Sequence, residues 1–452
     1  MKQTVVTMLV LLFVTTLYSQ ENMQFTLDKA LAYALEHNYS IANAQLDVKA
    51  SKKKVWETTA IGLPQANAKV AYQNTFEAPM VGFGTYVDYS DLSPDAAITR
   101  AYIDSHTFNA PEIPLGVEEN VTTDITVSQL IFNGSYIVGL QASRTYKDLS
   151  VIGLEKSKQE VKQAVSNLFY LCLITEERIG NLDKNLKAQT EVKEEVKALM
   201  DAGFVEDTDY DQMAILVNNL ALSVNTLKQQ KEIFYNQLKL LMGIPITEGI
   251  TLNGDLDSYF EAVDHSENKT DKFSVDNNID YQLMNTQVRL SHLNLKNKKA
   301  EFLPVISAFY NHQRLLEQPD FSFAIPNMIG INLEMPLLSS GMRLSTVGQA
   351  RIALDKDRND QWQLEQNLEI EFLQARSDYL SAQEKFENEK ENLNLSERIF
   401  NKTTIKYKNG MSSSMDLSNA QSQYLNSQTS YYEAIYQLLS SKVKLDKLIG
   451  NI

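Results

Sequence analysis

Apolar residues recur every three or four positions along most of the chain, and this spacing predicts long helices. In the first half the seam comprises Val151, Leu154, Val161, Val165, Leu168, Cys172, Ile179, Leu182 and Leu186, and then Met213, Leu216, Leu220, Val224, Leu227, Phe234, Leu238 and Leu241. In the second half it includes Leu417, Ala420, Tyr424, Tyr431, Ile435, Leu438 and Leu445. A narrow seam of this period indicates coiled-coil packing. The pattern alone fits a solid helical bundle and a hollow ring of paired helices equally well.

The distribution of glycine and proline predicts that these helices are very long. Residues 349–409 contain neither Gly nor Pro over 61 positions, which corresponds to a helix of about 90 Å. Gly180 is the only such residue between Leu154 and Ala202. Helices of this length far exceed the average of about 11–12 residues in globular domains.

Four other segments alternate between polar and apolar residues, and this period of two predicts β-strands at about 64–76, 120–132, 303–314 and 328–338. The second segment is typical, since Val121, Thr123, Ile125 and Val127 alternate with more polar neighbours. Alternation over about ten residues is the signature of transmembrane β-barrel strands, although one segment is weak evidence. A small antiparallel sheet capping a helical bundle would give the same pattern.

The chain is a duplicated unit of helix, two strands and a long helical hairpin. Gly203 and Gly410 are 207 positions apart, as are Gly243 and Gly450. We predict a first repeat at 20–246 with a tip turn at about 203–208, an inter-repeat linker at 247–275, and a second repeat at 276–452 with a tip turn at about 410–415. At each tip, the glycine suits a helix end, and Asp209 or Asp416 suits the next helix start.

Four strands are too few for a membrane barrel built from one chain. Bacterial single-chain barrels have at least about eight strands, and an open sheet edge is not tolerated in hydrocarbon. A membrane barrel would therefore have to be shared between chains, and a conducting pore favours three or more chains, because about eight strands leave an interior filled by side chains.

Composition narrows the function further. The formal net charge of −15 argues against nucleic acid as a ligand, because binding to phosphates needs a basic surface.

Residues 1–19 are typical of a secretory signal peptide, with Lys2 before an apolar run from Val5 to Tyr18, although a buried first helix would have a similar composition. The single cysteine excludes an intrachain disulfide. No catalytic motif, cofactor motif or metal-ligand spacing is present, so we predict neither an enzyme nor a cofactor or metal site.

The ordered set of motifs resembles the TolC family of outer-membrane efflux and secretion channels. The strand entries are Leu63-Pro64 and Leu303-Pro304, the strand exits lead to Gly134 and Gly341, and the tips run from Gly203 to Tyr210 and from Gly410 to Leu417. The resemblance covers essentially the whole mature chain. It implies a mainly α fold in which three chains form one 12-stranded β-barrel in outer-membrane lipid, continued by a coiled-coil barrel of helices in the periplasm.

The resemblance also implies a passive exit duct for a tripartite efflux pump or a type I secretion system. Its partners would be two further copies in a homotrimer, a periplasmic adaptor (membrane fusion) protein and an inner-membrane pump or exporter. The alternative is a periplasmic coiled-coil scaffold or adaptor without a pore.

Residue roles carried over by position concern the hairpin tips. The residues facing the adaptor would be Gly203, Phe204, Val205, Gly410, Met411 and Ser412. Asp416, together with Asp209, would form the periplasmic gate, and a ring of three Asp416 carboxylates would attract cations. Asn419 and Ser412 depart from the family pattern, which often has a second aspartate and sometimes an arginine there. A helix cap explains Asp416 equally well.

Overall fold

The computed structural model describes residues 23–77, 80–82, 84–91, 100–105, 107–109, 112–114, 117–256, 259–260, 273–317 and 325–452. The predicted signal peptide at 1–19 lies outside these residues. The helices of four or more residues are α1 (Leu27–His37), α2 (Tyr39–Ile61), α3 (Arg100–Ser105), α4 (Gly134–Asp201), α5 (Asp207–Met242), α6 (Ile279–Ala300), α7 (Met342–Lys408) and α8 (Ser414–Leu448). The strands are β1 (Met23–Phe25), β2 (Gln65–Asn74), β3 (Met80–Val81), β4 (Thr85–Val87), β5 (Thr107–Asn109), β6 (Ile113–Pro114), β7 (Glu119–Asn133), β8 (Ile250–Leu252), β9 (Val305–Leu315) and β10 (Asn327–Glu334).

The chain folds as two compact units. The helical unit comprises the described residues up to Ser51 together with Tyr146–Arg289 and Asp355–Ile452. The sheet unit comprises Lys52–Thr145 and Leu290–Leu354. Within the part of the chain that the structure describes, none of the helices combines the length and the apolar character needed to cross a membrane.

The sheet unit contains a four-stranded antiparallel sheet with the order β10-β9-β7-β2. The two hairpins meet where β7 pairs with β9, for example Ile125 with His312. A β-bulge interrupts that pairing between Leu130 and Phe132. The strands β2 and β10 therefore form the two edges of this sheet.

The alternation in the sequence separates the two faces of this sheet. The cross-strand register places Val70 beside Thr123 and Ile329 beside Tyr310, so the apolar positions share one face. Phe309 breaks the pattern because it lies on the polar face. It packs over Gly330, where an added Cβ would come within 2.7 Å of the Phe309 ring. The missing side chain of Gly330 thus makes room for the aromatic ring.

Four predicted segments need correction. The last strand ends at Glu334 rather than near 338, since Pro336 has no backbone N–H for the ladder. The tip turns are shorter than 203–208 and 410–415, because α5 already begins at Asp207 and α8 at Ser414. The segment 247–275 is not only a linker, since it contains β8, which pairs in parallel with β1.

Two asparagines form equivalent pairs of hydrogen bonds, which we call the asparagine ties, in the two halves of the helical unit. The Oδ1 of Asn38 accepts a hydrogen bond from the Ser40 N–H at 2.8 Å, and its Nδ2 donates to the Leu241 carbonyl at 2.7 Å. Asn278 repeats this with the Asp280 N–H at 2.9 Å and the Leu448 carbonyl at 3.5 Å. Each asparagine therefore begins one helix and binds the end of the hairpin in its own half.

The helical unit is held together by three groups of buried apolar residues. The largest joins α1 and β1 to parts of α4, α5, α7 and α8. The middle cluster consists of Ile179, Leu182, Leu220, Val224 and Leu227. The tip cluster consists of Val192, Val196, Met213, Leu216, Val217, Phe400, Leu417 and Ala420. The last group packs the ends of the two long hairpins against each other.

Candidate functional site

The two hairpin tips use the same backbone conformation. Gly203 and Gly410 both have positive φ, at 81° and 70°, a region that favours glycine. In each turn the N–H of the following residue, Phe204 or Met411, donates to the carbonyl five residues earlier, at 2.9 and 2.8 Å. This is the Schellman arrangement that ends a helix in a left-handed residue.

The predicted adaptor-facing residues differ in accessibility. Phe204 is 80% exposed and Met411 is 70% exposed, and both are large apolar side chains at a turn. Val205 is half-buried and packs against the tip cluster. The Ser412 hydroxyl donates to Asp416 at 3.2 Å. The first tip therefore presents the exposed side chain of Phe204, and the second presents Met411 together with Met415, which is also exposed at the start of α8.

Asp416 closes a capping box at the start of α8. The Ser413 hydroxyl accepts the Asp416 N–H at 3.1 Å, and the Asp416 carboxylate accepts the Ser413 N–H at 3.0 Å. The helix cap is therefore Ser413, and Asp416 is the third residue of the helix. Glu206 holds the equivalent cap position before α5, so neither Asp209 nor Asp416 is itself the cap.

These hydrogen bonds determine the charge of Asp416. The backbone N–H of Ser413 and then the hydroxyls of Ser413 and Ser412 hold the pKa of the Asp416 carboxyl below its ordinary value, because they stabilise the ionised form. The side chain is exposed and remains in contact with solvent. The carboxylate is thus negatively charged at neutral pH and is available to ions.

Asp209 occupies a different environment, between the two hairpins. The hydroxyl of Ser414, a buried residue, lies within hydrogen-bond distance of Asp209 Oδ1 and of Gln212 Oε1, the latter at 2.6 Å. Burial raises the pKa of the Tyr407 hydroxyl, and the negative charge of Asp209 raises it further. Asp209 thus joins the first hairpin to the second within one chain.

The structure places Ser414 beside Asp209, and Asp209 is close enough to Tyr407 to affect its pKa. Of these three residues, the sequence pattern indicates only Asp209. The offset of 207 between the repeats could have indicated Ser414, because it aligns with Asp207 at the start of α5. Lys408 adds a second link between the hairpins, with its Nζ 2.9 Å from a Glu195 carboxylate oxygen. Both partners of that ion pair are exposed, so we expect it to contribute at most about 1 kcal/mol.

No group of three or more His, Cys, Asp or Glu residues within the described ranges is arranged to hold a metal ion.

Comparison with known proteins agrees with this arrangement. Residues 274–451, which cover most of the second repeat, match the family model of outer membrane efflux proteins. The resemblance to the TolC family of outer-membrane channels is confirmed. The matched family is one of efflux proteins and not of enzymes. No curated protein sequence matches the chain.

Solved structures of outer membrane proteins and channels share the fold at low sequence identity. The outer membrane protein VceC from Vibrio cholerae is 14% identical with a TM-score of 0.70, over 94% of this chain and 96% of that chain. The CmeC outer membrane channel from Campylobacter jejuni is 15% identical with a TM-score of 0.71, over 94% and 85%. The open state of the MtrE outer membrane channel from Neisseria gonorrhoeae is 15% identical with a TM-score of 0.69, over 94% and 88%.

Proposed function

We propose that this chain is one subunit of a homotrimeric outer-membrane channel. The channel is the passive exit duct of an efflux pump or a type I secretion system, and it is gated at the hairpin tips. The observation that carries the proposal is the four-stranded sheet, which has one exposed apolar face and two edges without a partner strand in the described chain.

The apolar face suits contact with lipid. Ile329 is 83% exposed, and Ile331, Leu333, Val70 and Tyr72 are also exposed on strands β10 and β2. A soluble monomer rarely exposes so many large apolar side chains on one surface. Barrels in the outer membrane present such a band of apolar residues to the bilayer, while their other face is polar.

The two edges explain why several copies are needed. Strands β2 and β10 expose backbone N–H and C=O groups that would be unsatisfied in hydrocarbon. Pairing of β2 in one copy with β10 in the next satisfies both edges and closes the sheet. Three copies give a barrel of twelve strands, which is wide enough for a pore.

Two exposed apolar stripes on the helices support the same assembly. On α5, Ile215, Leu222, Ile233 and Leu240 are exposed. Their spacings of 7, 11 and 7 residues keep them on one side of the helix. On α7 the exposed residues Trp362, Leu373, Leu380 and Ile405 form a similar stripe. A neighbouring copy would bury these seams by coiled-coil packing.

The tips provide the gate in this proposal. Opening has to separate Asp209 from Ser414, because this contact connects the two hairpins of each chain. Phe204 and Met411 form the surface for a periplasmic adaptor, and the inner-membrane pump or exporter supplies the energy. Three exposed Asp416 carboxylates around the entrance attract cations into it.

The test combines oligomeric state with conductance. The full-length protein, expressed with its N-terminal segment and extracted from outer membranes in mild detergent, should have the mass of a trimer by light scattering. It should also form cation-selective pores in planar bilayers. Asp416→Asn should weaken the cation selectivity, whereas Asp211→Asn, at an exposed position on α5, should leave it unchanged. A monomer without conductance would refute the channel.

A further inference from the structure

Three glutamines are buried in the helical unit without full hydrogen bonding. Gln189 and Gln421 are each 2% exposed, and Gln428 is 4% exposed. The side-chain oxygen of each has no hydrogen-bond partner within the described residues. Gln428 keeps one bond, from its Nε2 to the Tyr424 hydroxyl at 2.9 Å. Buried polar groups are nearly always paired, so three such oxygens require an explanation.

Gln189 and Gln421 lie at one level of the unit, and we call this pair the amide layer. Lys447 on α8 donates to Gln163 on α4 at 3.0 Å, so the two helices are level there. Further along α4, Arg178 donates to Thr429, which lies earlier on α8, at 2.7 Å, so the two helices run in opposite directions. Gln189 lies 26 residues after Gln163 on α4, and Gln421 lies 26 residues before Lys447 on α8. Gln189 and Gln421 are therefore level, and Gln428 is two turns from Gln421 on the same side of α8.

The amide layer separates the tip cluster from the middle cluster. On α4, Gln189 lies between Leu186, which contacts both clusters, and Val192 of the tip cluster. On α8, Gln421 lies between Ala420 of the tip cluster and Leu425, which packs against the middle cluster. Buried Ser396 on α7 adds another polar side chain one turn before Phe400 of the tip cluster. The apolar seam is thus interrupted where the tips begin.

A polar interruption of a coiled-coil seam lowers stability locally. Polar residues at core positions are retained where they set register or limit association, at a cost in stability. Here Gln189 and Gln421 place part of this cost between the tip cluster and the middle cluster. The largest cluster, beyond the middle cluster, is built mainly from apolar residues. The tip cluster should therefore be able to separate while the rest of the helical unit stays packed.

We propose that the amide layer is the plane at which the two hairpins of one chain come apart when the tips open. Residues on the tip side of Gln189 and Gln421 separate as one group, and the helices beyond the layer remain paired. This inference rests on the proposed channel function. It states which part of the two hairpins moves when the channel opens, namely the part on the tip side of the amide layer.

The test is amide hydrogen exchange by mass spectrometry on the full-length trimer in detergent. The double variant Gln189→Leu/Gln421→Leu makes the seam continuous, so it should slow exchange at residues 207–217 and 414–421 by tenfold or more. Exchange at residues 161–174, which contribute to the largest cluster, should change less than twofold. The matched control is Gln229→Leu, at an exposed position on α5, and it should leave both regions unchanged.

Unchanged or faster exchange at the tips of the double variant would overturn the proposal. If that variant does not assemble, Gln421→Leu alone should still slow tip exchange, and the opposite change Gln421→Glu should accelerate it. Channel conductance is measured separately on the same samples. Slower exchange in a protein that never conducts would refute the channel while leaving the separation plane in place.

Discussion

Asp209 and Asp416 occupy equivalent positions in the two repeats, yet their side chains make different hydrogen bonds. Asp416 points back to the Ser413 N–H and is exposed, whereas Asp209 contacts Ser414 of the other hairpin. The sequence predicted both a gate and a helix start for this position. It did not identify Ser413 as the cap, because the run Ser412-Ser413-Ser414 offers three candidates and only tertiary packing buries the last.

The pKa of Asp416 gives the tip a defined pH dependence. Because the folded pKa is lower than the unfolded value of about 3.9, the carboxylate stabilises the start of α8 above that pH. The contribution declines as pH falls and is lost below the folded pKa. Exchange at residues 414–417, corrected for intrinsic rates, should therefore accelerate below about pH 4.

The variant Asp416→Asn should abolish this acid-dependent step, because an amide does not titrate. Asp211→Asn should retain it, since that residue takes no part in the capping box. Persistence of the step in Asp416→Asn would show that another group is responsible.

At the scale of elements, alternation and spacing predicted the four main strands and the long helices close to where they lie. The pair β1 and β8 was missed, because three-residue strands are too short to show a period and their partners are far apart in sequence. The asparagine ties were missed as well. Asn38 and Asn278 are separated by the same 240 positions as Leu63 and Leu303, so the repeat itself contained this signal.

Replacing the two glycines that end the hairpins should lower the stability of the fold by unequal amounts. Gly243 and Gly450 both have positive φ, at 75° and 78°. Alanine in that conformation costs about 1–2 kcal/mol. At Gly243 the new methyl would also overlap the His37 carbonyl oxygen, whereas at Gly450 the nearest atom, the Asn277 carbonyl oxygen, is 3.5 Å away.

Gly243→Ala should therefore lower the thermal unfolding midpoint, followed by circular dichroism in detergent, more than Gly450→Ala does. We expect an additional cost of about 1–3 kcal/mol from the overlap. Equal losses in the two variants would show that the backbone near His37 adjusts freely.

At the scale of the whole molecule, the folded chain leaves apolar surface that one copy does not cover. The stripe on α5 and the apolar face of the sheet both belong to this surface. The sequence predicted a shared barrel from the number of strands alone. The exposed stripes could not be recognised in advance, because buried and exposed apolar positions follow the same helical period.

Leu222→Asp should weaken the trimer, since it places a charge in the stripe that a neighbouring copy would bury. We expect a loss of about 1.5–3 kcal/mol or more per site from the apolar side chain. Mass photometry at decreasing protein concentration should show earlier dissociation than in the wild type. The control Ser223→Asp adds the same charge at an exposed position about 100° around the helix from Leu222, away from the stripe, and should dissociate like the wild type.

The asparagine ties have a consequence for how the chain can be divided. Asn38 donates a hydrogen bond to Leu241, and Asn278 donates one to Leu448. In each half, therefore, a residue near the start is hydrogen-bonded to a residue near the end of the same half. We expect that a chain cut once between residues 256 and 273 and produced as two co-expressed fragments would still assemble, because the cut leaves both of these internal closures intact.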